Sequence, residues 1–360
     1  MTAVPECAPH ANDRAGSAPP MTALPIDALA AAAQWTAVRA DGVTPSTDIA
    51  IHDETVVVGE GPDGVAVRVT ATAGAGGHAL RRSIPAVDIS GHTELRLSIR
   101  ADRAAGHGGA PFFLELRLGS AAVPLGDPDN HWHRLLPVGT ALVWESVRLS
   151  THDLDPGVAT AVNAIQLRCV ATGRPFTVYL DDLVAVRPQM LADTDRAVVD
   201  RLSGISLAGQ AVPVAVRAAG DPLPDAPAID IVHIDLRFAP ARVRDTRRLQ
   251  DFTTEGARMV PPGAPYDIDY AVSAVADSRA GQAALIEAVV DRLAPADELT
   301  FHSDRLPVDL VWISRRQRLA TGSGPDPVLH YRVEARSPSA AGQPVRDVRE
   351  VEVFVDQEAA

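Results

Sequence analysis

Between Trp35 and Arg187 the apolar residues recur at every second position in short runs, and Gly, Pro and Asp clusters separate the runs. In GVAVRVTA, Val65, Val67 and Val69 alternate with Ala66, Arg68 and Thr70. In ELRLSIR, Leu95, Leu97 and Ile99 alternate with Arg96, Ser98 and Arg100. PFFLELRLGS sets Phe112, Leu114, Leu116 and Leu118 against Phe113, Glu115 and Arg117, AIQLRCV turns Ile165, Leu167 and Cys169 one way, and FTVYLDDLVAVR closes the series. A period of two with one dry and one wet face predicts half-buried antiparallel strands, and many short strands with turns between them predict a sandwich or barrel.

The second half mixes periods. DTDRAVVDRL, Asp193 to Leu202, has an acidic start and apolar residues four apart, which predicts a short capped helix. VPVAVR follows as a strand. In IDIVHIDLRF, Val232, Ile234, Leu236 and Phe238 alternate with Ile231, His233, Asp235 and Arg237, predicting a strand with one polar face. PYDIDYAVSAV puts Tyr266, Ile268, Tyr270 and Val272 on one side and Asp267, Asp269, Ala271 and Ser273 on the other. SRAGQAALIEAVVDRL then changes to a helical stripe of Ile286, Val289, Val290 and Leu293, ended by Pro295. LPVDLVWIS, VLHYRVEA and VREVEVFVD read as further strands, and Ala320 to Pro327 as a flexible loop. The expectation is a two-domain chain: a disordered tail over 1–30, an all-β jelly-roll sandwich over 31–190, and a small α+β domain over 191–360 with one main helix on a sheet.

Composition narrows the function classes. Aromatics make up 4% of 360 residues and no apolar run reaches the roughly 20 residues of a membrane helix, so no membrane insertion is expected. The first twenty residues lack a basic segment followed by an apolar one, so cytoplasmic residence is the expectation. The two cysteines, Cys7 and Cys169, support neither a disulfide framework nor a zinc cluster. A net charge of −13 without basic blocks interleaved with aromatics argues against nucleic acid as a partner. The short arginine clusters at 81–82, 247–248 and 315–318 read as solvated loop charge.

Three groups could carry chemistry. Asp267 and Asp269 stand about 6.5 Å apart along a strand, a workable spacing for acid and base, but no His, Glu or Tyr constellation accompanies them. They read instead as the wet face of a strand, with His233, Asp235 and Arg237 as companion candidates for an interface. In NHWHRLLP, His131 and His133 could share a metal, Trp132 could stack on a sugar, or Trp132 could pack while the histidines face water. Asp181 and Asp182 could contribute to a structural calcium, for which six or more oxygens are needed. The sequence holds no G-x-S-x-G, no H-E-x-x-H and no G-x-x-x-x-G-K, and no enzyme and no cofactor are expected.

Two resemblances add to this reading. IPAVDISGHTELRLSIRAD, PFFLELRLGS, WESVRLSTHDL and FTVYLDDLVAV together resemble the galactose-binding-like jelly rolls of carbohydrate-binding modules. DIVHIDLRF, the block PPGAPYDIDYAVSAVADSRAGQAALIEAVVDRL, and the strands LPVDLVWIS and LHYRVEARS resemble tail-terminator or cap proteins of phage tails and contractile injection systems. The second resemblance implies a non-enzymatic subunit that forms a ring of copies and closes or joins tube and sheath at one end of a particle. The first implies glycan binding by the sandwich, the alternative function.

Overall fold

The computed structural model describes residues 23–58, 64–106, 110–170, 173–243, 248–301, 304–314, 327–339 and 343–346. Cys7 and VREVEVFVD lie outside them.

The first half contributes β1 (Ala23–Asp27), β2 (Thr36–Val38), β3 (Ile49–Glu54), β4 (Ala66–Ala71), β5 (Ala79–Val87) and β6 (Glu94–Ala101). β7 (Leu114–Gly119), β8 (His133–Leu135) and β9 (Glu145–Ser150) follow, then the single turn α1 (Pro156–Ala159), β10 (Val162–Cys169) and β11 (Phe176–Val186). They form two antiparallel sheets, β3-β4-β11-β6-β9 with β1 beside β11, and β2-β5-β10-β7-β8. The alternating residues do what their period requires: Val67, Val69, Leu95, Leu97, Ile99, Leu114, Leu116, Leu118, Ile165, Leu167 and Cys169 all enter the core between the sheets. Burial pushes the Cys169 thiol up to about 12, so it is an inert core residue. The result is a jelly-roll-like β-sandwich.

Residues 23–30, expected to belong to the tail, are instead part of the sandwich. Residues 23–27 pair with Val186 to Leu183, and Ile26 and Leu29 are buried. Two apolar side chains three apart beside a free strand edge outweigh the Pro and Ala content of the segment.

After α2 (Met190–Leu202) come the small hairpin β12 (Ser206–Leu207) and β13 (Gln210–Ala211), then β14 (Val214–Arg217), β15 (Ala228–Phe238), β16 (Arg248–Thr253), β17 (Gly256–Val260) and β18 (Pro265–Val275). The chain continues through α3 (Arg279–Arg292), β19 (Asp297–Phe301), β20 (Asp304–Ser314), β21 (Val328–Arg336) and β22 (Gln343–Arg346). Six strands make a sheet in the order β14-β15-β18-β21-β20-β19, parallel at β14·β15 and antiparallel elsewhere. β16, β17 and β22 make a separate three-stranded sheet.

Two helices of nearly equal length, 13 and 14 residues, cover one face of the larger sheet, rather than one main helix. α2 is longer than its acidic start suggests because Met190 to Ala192 precede Asp193, whose carboxylate accepts the Gln189 N–H at 2.7 Å and closes the first turn from inside. Its Ala197, Val198 and Leu202 join Leu285, Val289 and Leu293 from α3 in a second core against Ile229, Ile231, Ile268, Tyr270, Val272, Tyr331 and Val333. α3 starts at Ser278, whose hydroxyl accepts the Gly281 N–H at 3.0 Å, and its most buried stripe is Leu285 and Val289, with Ile286 and Val290 half-buried beside it.

β15 does not hold one alternation. Ile229, Ile231 and His233 face the helices, then the register against β18 shifts between His233 and Asp235, and Leu236 and Phe238 take over that face. The inserted residue is why simple alternation misplaces Ile231.

The smaller sheet ties the halves together. Phe252 packs on Phe112 with ring centroids 5.2 Å apart, and Asp251 accepts the Ser150 N–H of β9 at 2.5 Å.

Candidate functional site

On the face opposite the helices the polar halves of the strands meet; it is buried at the Asp230, Ser273 and Val328 end and half-exposed among the described residues around Asp269 and Arg332. Register places Asp235, Asp269, Arg332 and Asp309 in one row across β15, β18, β21 and β20, and Arg237, Asp267 and Glu334 in the next. Arg332 stands between Asp269 and Asp309, and Arg237 opposite Asp267, as unlike pairs, while Asp235 opposite Asp269 and Asp267 opposite Glu334 are like pairs that the arginines must offset. Asp269 accepts from Arg332 at 2.8 Å and from Arg237 at 2.5 Å. Asp267 accepts from Arg242, which also binds Glu334 at 2.9 Å. The arginines that meet the two aspartates therefore belong to the same chain. Burial alone would raise the Asp269 carboxyl, but the Arg332 and Arg237 guanidiniums outweigh it and hold its pKa below the usual carboxylate value. An ionised, doubly paired carboxylate is a poor general acid. At the end of the face Trp312 stacks on His330 at 3.9 Å and 9°, with 56% of the tryptophan exposed.

His233 lies on the helix side. Its Nε2 is 2.5 Å from Asp195 of α2, and the buried Tyr270 hydroxyl donates to the same carboxylate oxygen at 2.8 Å. Burial, then the Asp195 charge, raise the tyrosine pKa above its ordinary range. This group fastens α2 to β15 and β18. Of the five interface candidates, Asp267, Asp269, Asp235 and Arg237 share the charged face, and His233 does not.

Trp132 is 3% exposed, sits in the sandwich core, donates to the Ser150 carbonyl at 3.3 Å and carries Arg134 over its ring at 5.0 Å. A ring covered on that face and buried at its edge offers no platform to a sugar, so stacking by Trp132 is withdrawn. His131 is exposed in a loop, while His133 is turned to the His131 carbonyl and to Thr254. Among the described residues no three His, Cys, Asp or Glu side chains come together as metal ligands, and Asp181 and Asp182 lie at a bulge of β11.

The sequence reading missed a second polar surface. On the outer face of the sandwich, one row across β3, β4, β11 and β6 contains His52, Arg68, Tyr179 and Arg100, with the Arg100 guanidinium 5.5 Å from the Tyr179 ring centre. The polar residues that alternate with the apolar ones in each run were its only signal. A cleft of about 360 Å³ opens where the sandwich meets the smaller sheet, lined by Glu94, Arg148, His152, Arg187, Asp251 and Arg258 among others.

No protein-family model matches the chain. No curated protein matches it. Among solved structures, the chain is similar to a family 11 carbohydrate-binding module from Clostridium thermocellum in complex with a β-1,3-1,4-mixed-linked tetrasaccharide: 12% identity, TM-score 0.30, covering 46% of this chain and 95% of that one. A solution structure of CtCBM11 aligns at 13% identity and TM-score 0.32 over 48% of this chain and 99% of that one, and a family 30 module at 13% and 0.29 over 43% and 83%. The description of the sandwich rests on its own strand order, and these likenesses assign no ligand.

Proposed function

We propose that the chain is a non-enzymatic structural component of a phage-tail-like particle or contractile injection system, a cap or terminator subunit built from a sandwich domain and an α+β domain. Particle assembly would begin in the cytoplasm, with copies of the chain, sheath and tube proteins as partners. The observation that carries the reading is the charged sheet face. One side of the six-stranded sheet packs on α2 and α3 over its middle, while the other presents half-exposed paired charges that need no ligand to be satisfied, flanked by the exposed Trp312. Such a surface suits protein contact, where charge pattern sets register, better than it suits catalysis. The resemblance of PPGAPYDIDYAVSAVADSRAGQAALIEAVVDRL to cap proteins supports the same reading. Co-expression with tube and sheath proteins followed by pull-down and negative-stain imaging tests it: discs at particle ends are expected, and a chain found only free of tube and sheath would overturn it.

The Tyr179 row favours a second reading, glycan recognition by the sandwich. Tyr179, unlike Trp132, is half-exposed; with Arg68 and Arg100 beside it, a sugar that displaces Arg100 from the ring would find stacking and hydrogen-bond donors. Binding on a glycan array that Tyr179→Ala abolishes would establish it; silence across the array would remove it.

A further inference from the structure

The six-stranded sheet ends, on each side, in a strand that is only half covered. β14 pairs with Ile229 to Val232 of β15, and β19 pairs with Asp304 to Val308 of β20. Among the described residues nothing pairs with the outer edge of β15 from His233 to Phe238, nor with that of β20 from Asp309 to Ser314. Each free edge is six residues long. These two edges also carry most of the exposed apolar side chains of the second half: Ile234, Leu236 and Phe238 on β15, and Val311, Trp312 and Ile313 on β20, each 44–56% exposed. On β15 the Leu236 N–H is held by the Asp235 carboxylate at 2.9 Å and must exchange that bond for one to a partner; a strand edge beside apolar side chains templates the addition of another strand.

The directions of the strands decide what fits. β15 runs antiparallel to β18, β18 to β21, and β21 to β20, so β15 and β20 point in opposite senses at the two ends of one sheet. A second copy in the same orientation beside the first brings its β20 antiparallel to the first copy's β15, the sense that an antiparallel ladder requires. The free halves lie at opposite ends of the strands, because the β15 edge is level with Tyr266 to Tyr270 and the β20 edge with Val328 to Arg332. The neighbouring copy is therefore shifted along the strand, so that β14 and β19 clear one another. Both free edges begin beside a register shift, between His233 and Asp235 and between Leu310 and Trp312, and carry charge at Asp235, Arg237 and Asp309. Bulges and charges of this kind discourage indiscriminate edge pairing and leave a partner that matches both.

We propose that copies of this chain join head to tail through their sheets, the free half of β15 in one copy pairing with the free half of β20 in the next. The inference rests on the assembly reading and names its contact. Heterologous contacts of this type generate rings or helical arrays, and a shift along the strand tilts the strands about the axis of either. Asp269 then acts behind the seam, holding Arg237 and Arg332 in place, and Asp267 holds Arg242.

Two double variants of the full chain test this, each altering exposed side chains: Ile234→Lys with Leu236→Lys on β15, and Val311→Lys with Ile313→Lys on β20. Light scattering should show oligomers for the unaltered chain, and association weaker by about tenfold or more for either variant alone, since each 1.4 kcal/mol lost is a factor of ten. Mixed one to one, the two variants should form dimers and stop there, because each retains one intact edge. Hydrogen exchange on the unaltered oligomer should protect 234–238 and 309–313, a readout independent of whether the variants fold. A β20 variant that still dimerises alone would place the contact on β15 only and overturn the arrangement, as would oligomers with neither segment protected. If the unaltered chain builds discs with tube and sheath proteins while both variants do so equally well, the edge contact fails and the assembly reading stands. An unaltered chain that stays monomeric and binds neither protein removes both.

Discussion

At the scale of single residues, the same side-chain type does opposite things according to what surrounds it. Asp269 is held ionised by two guanidiniums, so its folded pKa is depressed, and its contribution to stability is present above the ordinary aspartate value near 3.9 and lost as pH falls through the lower folded value. Asp251 runs the other way. Burial, the largest influence, raises its pKa against the Ser150 N–H and the nearby Arg134, so its contribution is present below the ordinary value and lost as pH rises through the raised one. Acid titration of unfolding free energy should therefore lose part of its slope below pH about 4 in Asp269→Asn; an unchanged acid limb would show that the arginine pairing contributes nothing. Asp230 gives a sharper case. It is 2% exposed and held by Arg217 through contacts of 2.5 and 2.9 Å. Arg217→Met should cost about 3 kcal/mol in denaturant unfolding, because the carboxylate is left buried and unpaired.

At the scale of elements, regular alternation was legible and interruptions of it were not. ELRLSIR and AIQLRCV read correctly because each strand keeps one face in the core over its whole length. IDIVHIDLRF did not, since its inserted residue exchanges the two faces midway, and no residue type in the run announces it. The equal standing of α2 was hidden by MLA, three residues without a capping side chain, whose helical state depends on Asp193 reaching back to Gln189. The candidate acids were legible as strand-face residues, but their partners were not. Arg332 and Arg242 are 63 and 25 residues away in sequence from the aspartates they bind; sheet order brings Arg332 to Asp269, and the turn after β15 carries Arg242 back to Asp267. Leu202, fully buried where α2 meets the sheet, tests the packing: Leu202→Ala should destabilise by about 2–5 kcal/mol, and a loss well below that would mean α2 is loosely seated.

At the scale of the whole molecule, two cores are linked by the smaller sheet, through Phe112 against Phe252 and the Ser150 to Asp251 hydrogen bond. Arg258 adds an ion pair to Asp153 at 3.8 Å. Phe252→Ala should separate one cooperative unfolding transition into two in calorimetry, as two bodies lose the packing that couples them; a single unchanged transition would place the coupling elsewhere. The proposed assembly would use the two sheet edges at β15 and β20, where Ile234, Leu236, Phe238, Val311, Trp312 and Ile313 are exposed. The measurement that tests this most directly is the mass of the purified native chain by multi-angle light scattering across concentration. The account predicts oligomers whose mass falls when either edge is altered, and a chain monomeric at every concentration would contradict it.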